Sequence, residues 1–492
     1  MKYKIIGLTA VALVLIAVLT ISFVMPEDNG QRYIEHIEAP VKKVCANHQG
    51  ELCTHLPIVQ INTNGKEIPG KVILDAEGYV IDYTLAEDGL PTVKGTLGVI
   101  SSEEKNNHLT DAQKNMGEIL IRVRGHSSRI FEKPNYYVKF VNPDGTNNAQ
   151  EFLGMDSHHE WALHGPFLDK SLIRNYMWYN IAGEMMEYSP NVRFCELILN
   201  GEYRGLYLAT EMITAGKDGS RLELSVNKKD NTFSGYALRL DWGDTDEENK
   251  LYPFTNYTIR AKTQHELVYP GTQNMTPELK EAIKNDFSFF EKTLYSYDYN
   301  NKDHGYKNFI DVDSFVDYFL INELTCNYDA GSLSTYIYKD IDGKYRMCVW
   351  DFNSACDAYQ ESAIPVNEFR LDNALWFQML FKDKEFTDRV IERYYELRET
   401  VFSEEYLFGF IDDTVFYLGD AVERNYDKWG YTFSEEYDLL HPHERNPRSY
   451  IDAVSQIKTF LTRRLEFMDE NIEALRGNSA ESKTKKYNEV SD

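Results

Sequence analysis

Residues 322–353 read NELTCNYDAGSLSTYIYKDIDGKYRMCVWDFN. A helix ends near Cys326-Asn327, and Asp329 lies just past it. Ser334–Lys339 and Lys344–Trp350 read as the two strands of a hairpin, turned by Asp342-Gly343. A hairpin returns the chain to the side it left, on strands about 4.8 Å apart. Asp329 and Asp351 therefore emerge at the same end of one hairpin. Two carboxylates so placed can share one metal–phosphate ligand, although the spacing does not name it. Phosphoryl transfer needs such a pair, one to accept the proton of the attacking hydroxyl and one to hold Mg²⁺ on the phosphate oxygens.

On the N-terminal side of this stretch, Phe315, Val316, Phe319, Leu320 and Leu324 recur at helical spacing within Val312–Thr325. Glu278–Tyr295 is a further helix, and residues 372–476 read as several helices ending in Ser449–Leu475. The chain before residue 213 is β-rich. Pro57–Asn62 and Leu97–Ser101 are expected strands. Ile119–Arg124 alternates, with Ile119, Ile121 and Val123 on one face and Leu120, Arg122 and Arg124 on the other. Asn135–Val141 places Tyr137 and Lys139 opposite Tyr136, Val138 and Phe140. A helix is expected over Ser171–Glu187 with Asp169 as its N-cap. Val192–Leu199 and Tyr203–Met212 form a hairpin about Asn200-Gly201, where both turn positions favour positive φ. Residues 213–275 are mixed strand and loop, acidic around Asp241–Glu248. The expected fold class is α+β in two lobes: a β-rich lobe over about 57–212 and a mostly helical lobe over about 276–476.

Phosphate chemistry also needs a cation from the opposing lobe. Lys139 stands mid-strand. Arg124-Gly125-His126-Ser127-Ser128-Arg129, at a strand end, combines a flexible glycine, two hydroxyls and two guanidinium groups, which suits a phosphate-facing loop. The 492 residues carry 52 Lys and Arg against 78 Asp and Glu, a net charge of −26. That balance, with no basic cluster, argues against nucleic acid as a partner. Ile5–Val24 is uncharged and, at 1.5 Å per residue, spans ~30 Å, enough for a bilayer core. Lys2 and Lys4 before it and Glu27 and Asp28 after it keep the N-terminus inside and export the rest. The expectation is a signal anchor over residues 1–25, a polar stalk over 26–56, a catalytic domain over 57–476 outside the cytoplasm, and a polar tail over 477–492. A cleaved signal peptide is the alternative. Export permits a Cys45–Cys53 bridge, and Cys195 and Cys348 are expected as buried thiols.

The chain resembles the spore-coat protein H (CotH) kinase-like family. The matching segments are Arg124-Gly125-His126-Ser127-Ser128 with Tyr137-Val138-Lys139-Phe140, and Leu168-Asp169-Lys170-Ser171-Leu172-Ile173-Arg174-Asn175. They continue in Leu199–Tyr207 with Glu211, Val312–Tyr318, Asn327-Tyr328-Asp329 and Trp350-Asp351-Phe352-Asn353. The resemblance implies a remote protein-kinase-like fold that binds ATP and Mg²⁺ and phosphorylates Ser or Thr of a surface or coat protein. It implies Asp329 as catalytic base, and Asp351 with Asn353 as metal ligands. Lys139, Arg124, Ser127 and Ser128 would lie on the phosphates, and Glu211 at an interlobe hinge facing adenine. The chain departs from ordinary kinases in having neither Gly-x-Gly-x-x-Gly nor His-Arg-Asp. It departs from the family at Cys326, where Lys is frequent. Ser334 occupies the place of a kinase's second metal-binding Asn.

Three other readings compete with phosphotransfer. A coat-assembly scaffold would keep the fold without turnover. Two carboxylates about 5–9 Å apart would also serve a glycoside hydrolase, although Lys139 would then be unexplained. The cluster His158-His159-Glu160-Trp161-Ala162-Leu163-His164 invites a zinc reading but lacks His-Glu-x-x-His spacing. Arg174-Asn175 is expected to tie its helix to the sheet.

Overall fold

The computed structural model describes residues 32–38, 52–216, 221–225, 233–243, 247–257 and 263–479. The apolar run 5–24, Cys45 and residues 480–492 lie outside them. Among the described residues no helix is long and apolar enough to cross a membrane. Of the stretch 26–56, residues 32–38 pack onto the body of the protein and include the short helix α1 (Glu35–Glu38).

Seven strands close into a barrel: β2 (Ile58–Asn62), β5 (Val93–Ile100), β7 (Lys114–Arg124), β8 (Asn135–Val141), β11 (Glu160–His164), β12 (Val192–Leu199) and β13 (Glu202–Glu211). Three two-stranded ribbons decorate it: β1 (Cys53–Thr54) with β6 (Asn107–His108), β3 (Val72–Leu74) with β4 (Val80–Tyr83), and β9 (Gln150–Phe152) with β10 (Met155–His158). The barrel closes through one parallel pair, β2 with β12, whereas its other pairs are antiparallel. The expected alternation holds. Ile119, Ile121 and Val123 of β7 and Tyr136, Val138 and Phe140 of β8 are buried inside, which turns Arg122, Arg124, Tyr137 and Lys139 outward. Asn200 and Gly201 both have positive φ, as a two-residue turn requires. Gly205, at φ 100, sits beside Arg204 at a bulge in β13, and a Cβ there would lie 2.6 Å from Asn425 Oδ1.

The second body holds a five-stranded antiparallel sheet in the order β15 (Lys250–Leu251), β16 (Gln264–Tyr269), β14 (Tyr236–Asp241), β17 (Thr335–Lys339), β18 (Arg346–Cys348). The hairpin expected to stand in a helical lobe is thus the edge of a larger sheet, completed by strands from the mixed region 213–275. Around it lie α2 (Arg174–Met185), α3 (Pro277–Leu294), α4 (Val312–Thr325), α5 (Phe377–Leu380), α6 (Lys384–Arg398), α7 (Glu404–Leu418), α8 (Asp420–Trp429) and α9 (Tyr450–Asn471). One apolar core fills the barrel, and a second runs from α2 through the sheet into α9. Helix α2 starts at Arg174, later than expected. The Asp169 carboxylate accepts the amides of Ser171 and Arg174, at 3.0 and 2.9 Å, and holds an extra turn with Leu172 left-handed. Cys195 and Cys348 are buried thiols, as expected.

Glu323 of α4 and Arg464 of α9 form a wholly buried ion pair at 2.7 Å. Glu323 also accepts the amides of Arg370 and Leu371, and Arg464 donates to the carbonyls of Glu323, Val366 and Glu368. Removing one member of such a pair strands the other charge. Glu323→Ala is expected to lower unfolding free energy by ~3–5 kcal/mol in urea titration, and a loss below 1 kcal/mol would contradict this account of the pair.

Candidate functional site

The hairpin β17–β18 places its two Asp-bearing ends together, since Tyr336 pairs with Cys348. β14 runs beside β17, with Leu240 opposite Thr335, and so delivers Asp241 to the same end, next to Ser334. Asp241, Asp329 and Asp351 act on one another electrostatically. Burial, then repulsion from Asp351 and Asp241, pushes the Asp329 carboxyl up to about 7, and Arg370 offsets part of this. Burial also raises the Asp351 carboxyl, opposed by the Asn353 amide and by Arg124. Asp241 pairs with Arg239 at 3.2 Å, and Arg239 also pairs with Glu266.

The backbone is held at Asp351 and at the turn before Asp329. The Asp351 amide donates to the Tyr179 hydroxyl at 3.0 Å, and its carbonyl accepts from Asn327 Nδ2 at 3.1 Å. The next amide, Phe352, donates to Asn175 Oδ1 at 2.8 Å. Asp351 sits at φ 54, a left-handed conformation that side-chain-bearing residues adopt at a cost and that these bonds stabilise. Arg174 pairs with Asp169 and donates to the carbonyls of Ala355 and Cys356, at 2.8 and 3.3 Å. The expected role of Arg174-Asn175 as a tie is therefore met, but the tie runs to the segment after Asp351. On the Asp329 side, Arg370 donates to the carbonyls of Asn327 and Tyr328, at 3.4 and 3.2 Å, and its guanidinium lies over the Tyr328 ring.

Arg124 is the barrel cation whose charge reaches Asp351. Its guanidinium stacks 5.4 Å from the Trp350 ring and acts on Asp351. Arg122, two residues back on the same face, lies over Tyr137. Burial and the neighbouring charges of Arg129, Arg124 and Arg239 lower its pKa to about 10. Among the described residues Arg122, Arg124 and Lys139 have no carboxylate ion-pair partner. Lys139 stands four residues along β8 from Asn135, the partner of Arg124, or ~13 Å at 3.3 Å per residue. It neighbours His159, and its charge is not among those acting on Asp329 or Asp351.

Within the loop after β7, Gly125 adopts φ 107, and a Cβ there would lie 2.1 Å from Ser128 Oγ. Ser128 Oγ accepts from Asn135 Nδ2 at 3.3 Å, Ser127 is exposed, and His126 stacks on Trp242 just past Asp241. The loop therefore closes against the sheet beside the carboxylates. Asn353 has its amide on the Asp351 carboxylate and its Oδ1 on Asn175 Nδ2. Glu211 is buried at the end of β13, where its carboxylate accepts the Asn191 amide at 2.8 Å and faces the charges of Arg221 and Arg32. Cys326 is buried at the left-handed end of α4, turned toward the Glu323 carbonyl, and Ser334 is half-buried with φ 47. His158, His159 and Glu160 do cluster within 4.8 Å. His158 Nδ1 already accepts the Glu160 amide, and Glu160 accepts the Tyr137 hydroxyl.

Three residues of the site went unrecognised in the sequence. Asp241 lay in a stretch marked only as acidic. Arg122 shared its face with Arg124, a signal that was present in the alternation. Arg370 had none, because it reaches the Asp329 turn only through tertiary contact. Carboxylate oxygens in this number suit a hard divalent cation, and the unpaired guanidinium groups opposite suit phosphate.

A family model described as CotH kinase protein matches residues 121–468. The inner spore coat protein H of Bacillus subtilis (strain 168) is 23% identical over 243 residues, which cover 48% of this chain and 58% of that protein. The family match takes in more than two thirds of the chain, including Arg124, Asp329 and Asp351, and the chain belongs to the CotH kinase protein family.

Proposed function

We propose that this chain is an atypical protein kinase with a remote kinase-like two-lobed fold, transferring the γ-phosphoryl group of ATP to a Ser or Thr hydroxyl of a protein. The observation that carries the reading is the meeting of two carboxylates with cations of the opposite body. Asp329 and Asp351 converge on the sheet side next to Asp241, which pairs with Arg239, and Arg122 and Arg124, without carboxylate ion-pair partners among the described residues, stand on the barrel side. Mg²⁺ held by Asp351, with Asn353 and Asp241 beside it, would offset phosphate charge when bound with ATP. Asp329, whose carboxyl is raised first by burial, would take the acceptor hydroxyl's proton. Arg124 orients the phosphate oxygens, and the Gly125–Ser128 loop restricts water. Lys139, about 13 Å along β8 from the partner of Arg124, and Glu211, buried on the Asn191 amide, stand apart from this cluster. The related protein's printed name, a spore coat protein, supports a coat or surface setting for the acceptor, with residues 5–24 as the anchor.

Asp329→Asn is expected to lower phosphate incorporation by about 10²–10⁴-fold. Its melting temperature should be unchanged or higher, because one of three mutually repelling carboxylates is neutralised. Wild-type transfer by this variant would refute the role of Asp329. In thermal unfolding, Mg²⁺ at about a hundred times its dissociation constant should stabilise the wild type by about 2.7 kcal/mol, and Asp351→Asn should abolish the effect. Calorimetry with ATP and Mg²⁺ separates this reading from a scaffold, which would bind no nucleotide in a metal-dependent way.

A further inference from the structure

Residues 32–38 lie along α2 and the segment that follows it. The Arg32 guanidinium donates to the carbonyls of Tyr179 and Ser189, each at 2.8 Å, and of Pro190 at 3.4 Å, and to Asn180 Oδ1 at 3.2 Å. His36 meets the Tyr176 hydroxyl through its backbone amide at 3.3 Å and its ring at 3.0 Å. Glu35, buried, accepts from Arg193 Nε at 2.8 Å and the Phe194 amide at 2.7 Å, tying the segment to β12. A Cβ on Gly183 would lie 2.3 Å from Arg32 Nε and Cζ. Tyr176, Tyr179, Asn180 and Gly183 recur at the spacing of a single helix face. A glycine inside a helix is otherwise unfavourable. Here it makes room for a guanidinium that four acceptors hold in place.

The same helix carries the supports of the candidate site. The Tyr179 hydroxyl takes the Asp351 amide, Asn175 takes the Phe352 amide, and Arg174 takes the carbonyls of Ala355 and Cys356. The Tyr179 ring also packs against Trp350 and Phe352. Arg32 thus holds the backbone of the residue whose side chain holds Asp351.

We propose that residues 32–38 form a latch on α2 and that Arg32 is a positioning residue for Asp351. Its consequence for phosphate transfer rests on the function proposed above, whereas the mechanical coupling does not. The coupling is tested by hydrogen exchange with mass spectrometry on the full chain without nucleotide, comparing wild type, Arg32→Ala and Gly183→Ala. The second variant displaces Arg32 with a single methyl group while favouring the helix. Both are expected to speed exchange at the Asp351 and Phe352 amides at least ~10-fold while α9 keeps wild-type protection. Unchanged exchange at those two amides, or an equal rise across the whole chain, overturns the proposal. If Arg32→Ala does not fold, Gly183→Ala decides alone. A chain that transfers no phosphate still reports the coupling. In one that does, both variants should lower kcat with little change in KM for ATP, and a rise in KM alone would overturn the positioning role.

Discussion

Three carboxylates that repel one another are held together at the end of one sheet, and much of the surrounding polar structure serves that constraint. Asp241, Asp329 and Asp351 arrive from β14, from the turn after α4 and from the end of β18. Burial and mutual repulsion would drive them apart or protonate them. The backbone around Asp351 is fixed by Tyr179, Asn175 and Asn327 and the turn before Asp329 by Arg370, through hydrogen bonds to main-chain groups, whereas Asp241 is held by its strand and pairs with Arg239. The buried Glu323–Arg464 pair lies behind this arrangement and anchors Arg370 through its own amide.

The barrel supplies the complementary charge. Because β7 and β8 bury every second residue, the outward positions are free to be cationic, and Arg122, Arg124 and Lys139 occupy them. In a chain of net charge −26, Arg122 and Arg124 stand beside carboxylates without an ion-pair partner of their own among the described residues. Such groups gain most from a ligand that brings its own negative charge together with a metal. The His126–Trp242 stack joins the two sides at the loop.

Much of the site was legible from local pattern. The Asp342-Gly343 turn between Asp329 and Asp351 implied that these two residues share an end, because hairpin geometry is set by neighbours in sequence. The alternation of β7 and β8 gave their inner and outer faces, and Asn200-Gly201 gave the second hairpin. Asp241 could not be placed, since β14 lies about a hundred residues before its partner β17 and nothing in its own segment specifies that pairing. The start of α2 was also missed, because the Asp169 carboxylate captures the Arg174 amide and delays the helix by a turn.

By itself the sequence determined the outer and inner faces of β7 and β8, the two hairpins, helices such as α3 and α4, and the two acidic residues bracketing a turn, all of which depend on side-chain periodicity and short-range backbone preference. Closure of the barrel through the parallel β2–β12 pair, the third carboxylate, the Arg370 clamp and the seating of Arg32 on α2 were decided only by tertiary structure. Each joins groups far apart in the chain, and such contacts are selected by burial and hydrogen-bond satisfaction in the folded whole, which no local pattern encodes.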